Sequence, residues 1–186
     1  MKRESALELL REYTRKEGLI KHALAVEACM RSYAQKWGED EEQWGNVGLL
    51  HDFDYEMYPS PDQHPEVGAR ILEEKGYPPD VIYAIRSHAD YLGLERKSLM
   101  DKTLYAVDEL AGFVTAVALV RPNRNIAEVK VSSVQKKLKD KAFARTVNRV
   151  DIKQGAAALD IPLNEHIAFV IDAMKGIADE LGLDGD

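Results

Sequence analysis

Apolar residues recur along the chain at intervals of three and four, the period of one face of an α-helix, and no stretch sustains the alternation of a strand. Ser5 followed by Glu8 has the form of a capping box and predicts a first helix to about Lys16, with Leu7, Leu10 and Tyr13 or Thr14 on one face and Gly18 as punctuation. A second helix over about Ile20 to Trp37 carries His22, Val26, Cys29 or Met30 and Tyr33 at helical spacing, and Gly38 ends it. The acidic run Glu39 to Glu42 suits the positive end of a third helix, which reaches about His51-Asp52. A loop from Phe53 to His64 holds Pro59 and Pro61. Pro65 then opens a helix through Glu74, and Pro78-Pro79 opens another through about Ala89. Leu99 to Leu119 reads as a longer apolar helix closed by Arg121-Pro122-Asn123. The basic segment beyond it predicts one or two amphipathic helices, and Asn164 is placed as the cap of a last helix whose stripe runs from Ile167 to Leu181. The fold class expected is all-α.

Composition narrows the picture. With 186 residues, 45% of them hydrophobic, the chain is long enough for one domain with a real core. The longest nearly unbroken apolar run, Leu110 to Val120, falls far short of the roughly 20 residues a membrane span needs. The acidic residues of the first turn replace the apolar stretch of a signal peptide, so a cytoplasmic protein is expected. The single Cys29 cannot form an internal disulfide and reads as a small buried hydrophobe.

Net charge is −7, yet Arg121 to Arg149 holds nine basic residues and two acids, a local +7 that leaves −14 on the rest. An acidic body argues against a nucleic-acid polymer as partner, while one basic segment suits a small anion such as a phosphate; a solvated basic helix face is an equal alternative. Lys137, Lys141 and Arg145 recur every four residues, so on one helix they would share a face and form a phosphate clamp.

Five histidines occur, and their placement matters more than their number. His22 and Asp108 are polar groups in otherwise apolar helices, where an unpartnered imidazole or carboxylate costs several kcal/mol, so each needs a partner or a metal. His51-Asp52 ends the third helix, His64 precedes a helix start, and His88 lies near the end of the next. Imidazole nitrogens with carboxylate oxygens suit Mn, Fe, Co, Ni or Zn, and a helical bundle can aim such ligands from several helices at one site. His166 lies outside this series and reads as structural or surface. Asp54 and Asp90 read as loop acids, Trp37 and Trp44 as core anchors, and Glu109 as pointing away from Asp108.

The ordered set resembles the HD superfamily of metal-dependent phosphohydrolases. It comprises His22, Gly48-Leu49-Leu50-His51-Asp52, His64-Pro65-Glu66-Val67-Gly68-Ala69-Arg70-Ile71-Leu72, Ala84-Ile85-Arg86-Ser87-His88 and Tyr105-Ala106-Val107-Asp108-Glu109-Leu110. The chain is most similar to small HDIG-type predicted hydrolases. The resemblance implies an HD-like helical core of about five helices over 18–120 and a helical extension over 121–186, together one domain. It implies His22, His51, Asp52 and Asp108 on one divalent ion, with Asp52 bridging to a second ion that His64 and His88 also hold. His51 and Asp52 would be catalytic, and one or two ions would serve. Members that cleave cyclic dinucleotides carry a second histidine where this chain has Ala89 and a lysine where it has Tyr55, which points away from that substrate.

The activity expected is hydrolysis of a phosphate ester or anhydride in a small phosphorylated substrate, a nucleotide or relative, by metal-activated water. A di-iron oxygenase on the same fold and a non-catalytic, metal-containing nucleotide sensor are the alternatives, and a homodimer stays open.

Overall fold

A computed structural model describes residues 2–185, all-α among the described residues, with ten helices and no strand. They are α1 (Arg3–Tyr13), α2 (Glu17–Trp37), α3 (Glu41–Leu50), α4 (Glu66–Glu74), α5 (Pro79–His88), α6 (Leu99–Leu119), α7 (Val131–Leu138), α8 (Arg149–Ala158), α9 (Leu163–Lys175) and α10 (Ala178–Leu181). No helix among the described residues is long and apolar enough to cross a membrane. The chain divides into two compact units, Met1–Leu104 and Tyr105–Asp186, with the division inside α6.

In the first unit, α2 packs along α3, and α1 and α5 also lie on α3. The apolar stripe of α2 is fully buried at Val26, Cys29, Met30 and Tyr33, so Cys29 takes the role read for it. Trp44 is buried, and Trp37 is half-buried between Tyr33, whose ring lies 4.8 Å away, and Trp44 at 5.9 Å. Gly48 permits the close approach of α2 and α3, since a Cβ there would lie 2.9 Å from the backbone of Val26 and Glu27. Asp40 caps α3, its carboxylate accepting from the amides of Glu42 and Gln43, as the acidic run suggests.

The first helix departs from its expected start and end for tertiary reasons. Ser5 is inside α1, not at its cap, because the turn begins two residues earlier on Arg3. The Arg3 amide donates to the Glu42 carboxylate at 3.1 Å, and its guanidinium forks onto buried Glu27 at 2.6 and 2.9 Å. The helix stops at Tyr13 because the Thr14 hydroxyl is drawn to the Phe53 carbonyl at 2.9 Å and the amides of Arg15 and Lys16 donate to Glu56. Helix α2 therefore starts at Glu17, with Gly18 in its first turn.

In the second unit, the basic segment is helical only as far as Leu138. Residues 139–148 wind about the Arg149 guanidinium, which donates to the carbonyls of Leu138, Asp140, Phe143, Ala144 and Val147. Ala144 takes a left-handed φ of 40°, which no continuous helix allows. Lys137, Lys141 and Arg145 therefore do not share a helix face, contrary to the expectation from their spacing. Asn164 lies within the first turn of α9 rather than at its cap, accepting from the Gln135 side chain, and Pro162 stands at the cap position. The last stripe divides at Gly176 into α9 and α10. His166 is structural, as read, buried with Nε2 2.9 Å from the Ala106 carbonyl.

Candidate metal centre

The end of α3, the turn after it, the start of α4 and the end of α5 bring three histidines to one carboxylate. Asp52 Oδ1 lies 3.2 Å from His64 Nε2 and 3.3 Å from His88 Nε2, and Asp52 Oδ2 lies 3.5 Å from His51 Nε2. Their rings form a row edge to face with His22 of α2. Centroid separations are 5.2 Å from His22 to His51, 5.4 Å from His51 to His88 and 5.4 Å from His88 to His64. His51 is fully buried and His64 nearly so, while Asp52 keeps 24% of its side chain exposed.

Each of the three imidazoles is held by its other nitrogen. His51 Nδ1 lies 2.8 Å from the Gly48 carbonyl, and His88 Nδ1 is hydrogen-bonded to the Ile85 carbonyl. Both acceptors belong to the last turn of a helix, where carbonyls have no amide partner within the helix, so the side chain satisfies a group the fold leaves open. A carbonyl only accepts, so Nδ1 carries a hydrogen and Nε2 is the nitrogen left to meet a metal or, when it too is protonated, the Asp52 carboxylate. His64 sits in a loop with no such carbonyl, and its Nδ1 is bound instead by the buried carboxylate of Asp54 at 2.7 Å. The other Asp54 oxygen accepts the Gly68 amide in the first turn of α4 at 2.7 Å. Gly68 has no side chain because a Cβ would lie 2.8 Å from Asp54 Cγ.

The charges of the site are mutually adjusted. Burial would raise the Asp52 carboxyl, but His51 and the hydrogen bonds from His64 and His88 hold it well below the usual carboxylate range. Burial would lower His64, yet hydrogen bonds to Asp52 and Asp54 push it up to about 9. Without a cation at the centre, a protonated His64 donates from Nδ1 to Asp54 and from Nε2 to Asp52.

Asp52, His64 and His88 offer ligand atoms that all lie within 4.8 Å of one another. Three imidazoles whose Nδ1 is already committed and whose Nε2 turns on one carboxylate fit a first-row divalent metal, which would take the place of the Nε2 hydrogen. Of the other expected site residues, Asp108 is on α6, partly exposed, in the second unit. Lys137 in the last turn of α7 has its Nζ 4.4 Å from the centre of the Phe143 ring, and Lys141 and Arg145 are exposed in the turn that follows. The Glu109 carboxylate accepts the Asn148 amide at 3.2 Å. Asp90, read as a loop acid, opens a 3-10 turn and pairs with Arg96.

Asp54, read from the sequence as a loop acid, is instead a buried residue of the site that holds His64. Its signal was the spacing Asp52-Phe53-Asp54, two acids at the close of an apolar helix. In a turn no periodicity tells a solvated acid from a buried one.

No curated protein and no solved structure matches the chain. The family model described as the HD domain matches residues 19–112, a stretch that contains all four imidazoles of the row, Asp52, Asp54 and Asp108. Since the match spans half the chain and the doublet His51-Asp52 lies at the middle of the row, the chain belongs to the HD domain superfamily of metal-dependent phosphohydrolases.

Proposed function

We propose that this HD protein, of the small HDIG type, is a divalent-metal-dependent phosphohydrolase that cleaves a phosphate ester or anhydride in a nucleotide or related small molecule. One observation carries the reading: three Nε2 atoms turn on the Asp52 carboxylate while each opposite ring nitrogen is held by a fixed acceptor. His51, Asp52, His64 and His88 are the proposed ligands within the first unit, with His22 beside His51. Asp108 is assigned as a ligand on the family resemblance, since it lies in the matched stretch.

When bound, one or two divalent ions supply a water of lowered pKa and neutralise charge on the phosphoryl oxygens. The residues of the chain do the positioning. Asp54 and the carbonyls of Gly48 and Ile85 fix the rings, so that no imidazole has to reorient as charge develops. His51 and Asp52 form the catalytic doublet, and the exposed edge of Asp52 is where solvent and substrate arrive. Lys141 and Arg145 remain the proposed phosphate contacts from the basic segment. Lys137 is less suited to that role because it lies over the Phe143 ring.

The test is metal analysis of protein purified without chelator, followed by Mn-supported phosphate release over nucleotide mono- and polyphosphates. His51→Ala and Asp52→Ala are expected to lose metal and activity while the helical circular-dichroism signal persists, and full activity in either refutes the assignment. Iron with oxygen-dependent turnover would favour an oxygenase, and tight nucleotide binding without product a sensing module.

A further inference from the structure

Two tyrosines stand against His64, each three residues beyond one of the proposed ligands: Tyr55 after Asp52 and Tyr91 after His88. Both are exposed, Tyr55 by 41% and Tyr91 by 54%, although each touches the nearly buried His64. The Tyr55 ring meets the His64 imidazole edge to face with centroids 5.2 Å apart. The Tyr91 hydroxyl donates to the His64 carbonyl at 2.6 Å, which fixes the ring from its polar end and leaves its body in solvent. Tyr91 itself lies in the 3-10 turn Asp90–Leu92, closed by Gly93 at a φ of 63° and braced by Arg96, which pairs with Asp90 and reaches the His88 carbonyl. A side chain with this little freedom presents its apolar face at low entropic cost to whatever docks there. Scattered exposed aromatics need no explanation. Two that abut the same ligand histidine, one of them pinned by its hydroxyl, do.

We propose that Tyr55 and Tyr91 form an aromatic rim that takes the planar base of a nucleotide, with its phosphate directed to the Asp52–His64–His88 cluster. The chemistry fits on both sides. An aromatic face stacks on any base, a preference that is tolerant of base identity, and the neighbouring carboxylates of Asp52 and Asp54 disfavour an anionic group at the rim itself. The rim therefore selects on the ring of the substrate, and phosphate contact falls to the ions and other cations. This inference rests on the hydrolase reading and deepens it by assigning the residues that would recognise the base.

The experiment compares AMP, GMP, CMP and UMP with ribose 5-phosphate, which carries the same phosphate and no base. Binding is followed by NMR on protein labelled in the tyrosine rings and loaded with zinc in place of manganese, so that the ion that meets the phosphate is present and, being diamagnetic, leaves the ring signals visible. Base-bearing nucleotides are expected to shift the Tyr55 and Tyr91 ring signals, and ribose 5-phosphate to leave them in place. Tyr55→Leu and Tyr91→Leu should each lower the ratio of nucleotide to ribose 5-phosphate affinity by about tenfold, within the range found when a base-stacking aromatic is removed. Tyr91→Phe, which keeps the ring and loses the anchor, should lower it less. Equal binding of ribose 5-phosphate and the nucleotides, or an unchanged ratio in both leucine variants, overturns the rim. Absence of phosphate release with base-dependent ring shifts intact sinks the hydrolase reading and leaves the rim standing.

Discussion

Asp54→Asn changes one buried oxygen to an amide nitrogen and nothing else in shape, and it tests the way His64 is held. Asp54 is 1% exposed and accepts two hydrogen bonds at 2.7 Å, from His64 Nδ1 and from the Gly68 amide. Asparagine has one acceptor for these two donors, so its NH2 must face one of them. Facing the Gly68 amide would strand a buried backbone donor, at a cost of about 1–3 kcal/mol. Facing His64 is cheaper, because an imidazole can give up the hydrogen on Nδ1 and keep one on Nε2, and a backbone amide cannot. The variant therefore folds with His64 in the wrong tautomer, its proton on the nitrogen that turns to Asp52. Restoring the ligating tautomer breaks the new bond and costs about 1.5–3 kcal/mol, which corresponds to a loss of about 10–100-fold in metal affinity. Manganese titration calorimetry reads the affinity, imidazole nitrogen shifts read the tautomer, and the melting temperature without metal reads the fold. An Asp54→Asn variant that binds manganese within about twofold of the parent, or that keeps the His64 hydrogen on Nδ1, refutes the reasoning.

The raised titration of His64 gives a second expectation. Its protonated form, bound between Asp52 and Asp54, contributes stability to the metal-free protein that is fully present below about pH 6.5 and is lost as pH rises toward about 9. The shift corresponds to about 3 kcal/mol. A metal must displace that proton, so the rise in melting temperature on adding manganese should grow with pH across the same window and be accompanied by proton release. A metal response flat over that window would contradict it. Gly48→Ala should cost about 1–3 kcal/mol in thermal unfolding, because the added Cβ meets the Val26 and Glu27 backbone at 2.9 Å and neither helix can yield locally; an unchanged melting temperature would show that α2 and α3 are not limited there. Arg149→Ala removes the donor to five carbonyls of the 138–147 stretch, so tryptic cleavage at Lys139, Lys141 or Arg145 should quicken several-fold while cleavage elsewhere is unchanged. Uniform cleavage rates in parent and variant would mean the turn is held by something else.

The sequence was most legible where burial alone determines structure. Helix α6 appears at its expected bounds, Leu99–Leu119, because an uninterrupted apolar face over 21 residues admits few alternatives. The His51-Asp52, His64 and His88 donors stood out for the converse reason, since polar groups at the ends of apolar helices need partners. Boundaries fixed by distant side chains were not legible. The start of α1 depends on Glu27 and Glu42, its end on Phe53 and Glu56, and the end of α7 on Arg149, and none of these lies within the local window that periodicity reads. The spacing of Lys137, Lys141 and Arg145 misled for the same reason.

The centre shows how little of a metal site has to be encoded at long range. His51 is anchored by the carbonyl three residues before it and His88 by the carbonyl three residues before it, so in both cases a helix end and an imidazole suffice to set the tautomer, whatever side chains stand at the acceptor positions. His64 lacks a helix end and needs a dedicated acid, Asp54, together with a glycine that makes room for it. What remains for the fold is to bring two helix ends and one loop to the same carboxylate. That convergence depends on Gly48, where α2 closes on α3, and on Gly68, where α4 closes on the turn after Asp52. Substitutions at these two glycines should therefore damage metal affinity without touching a ligand. Substitutions at residue 85 that keep the backbone in place, such as Ile85→Val, should leave the tautomers as they are.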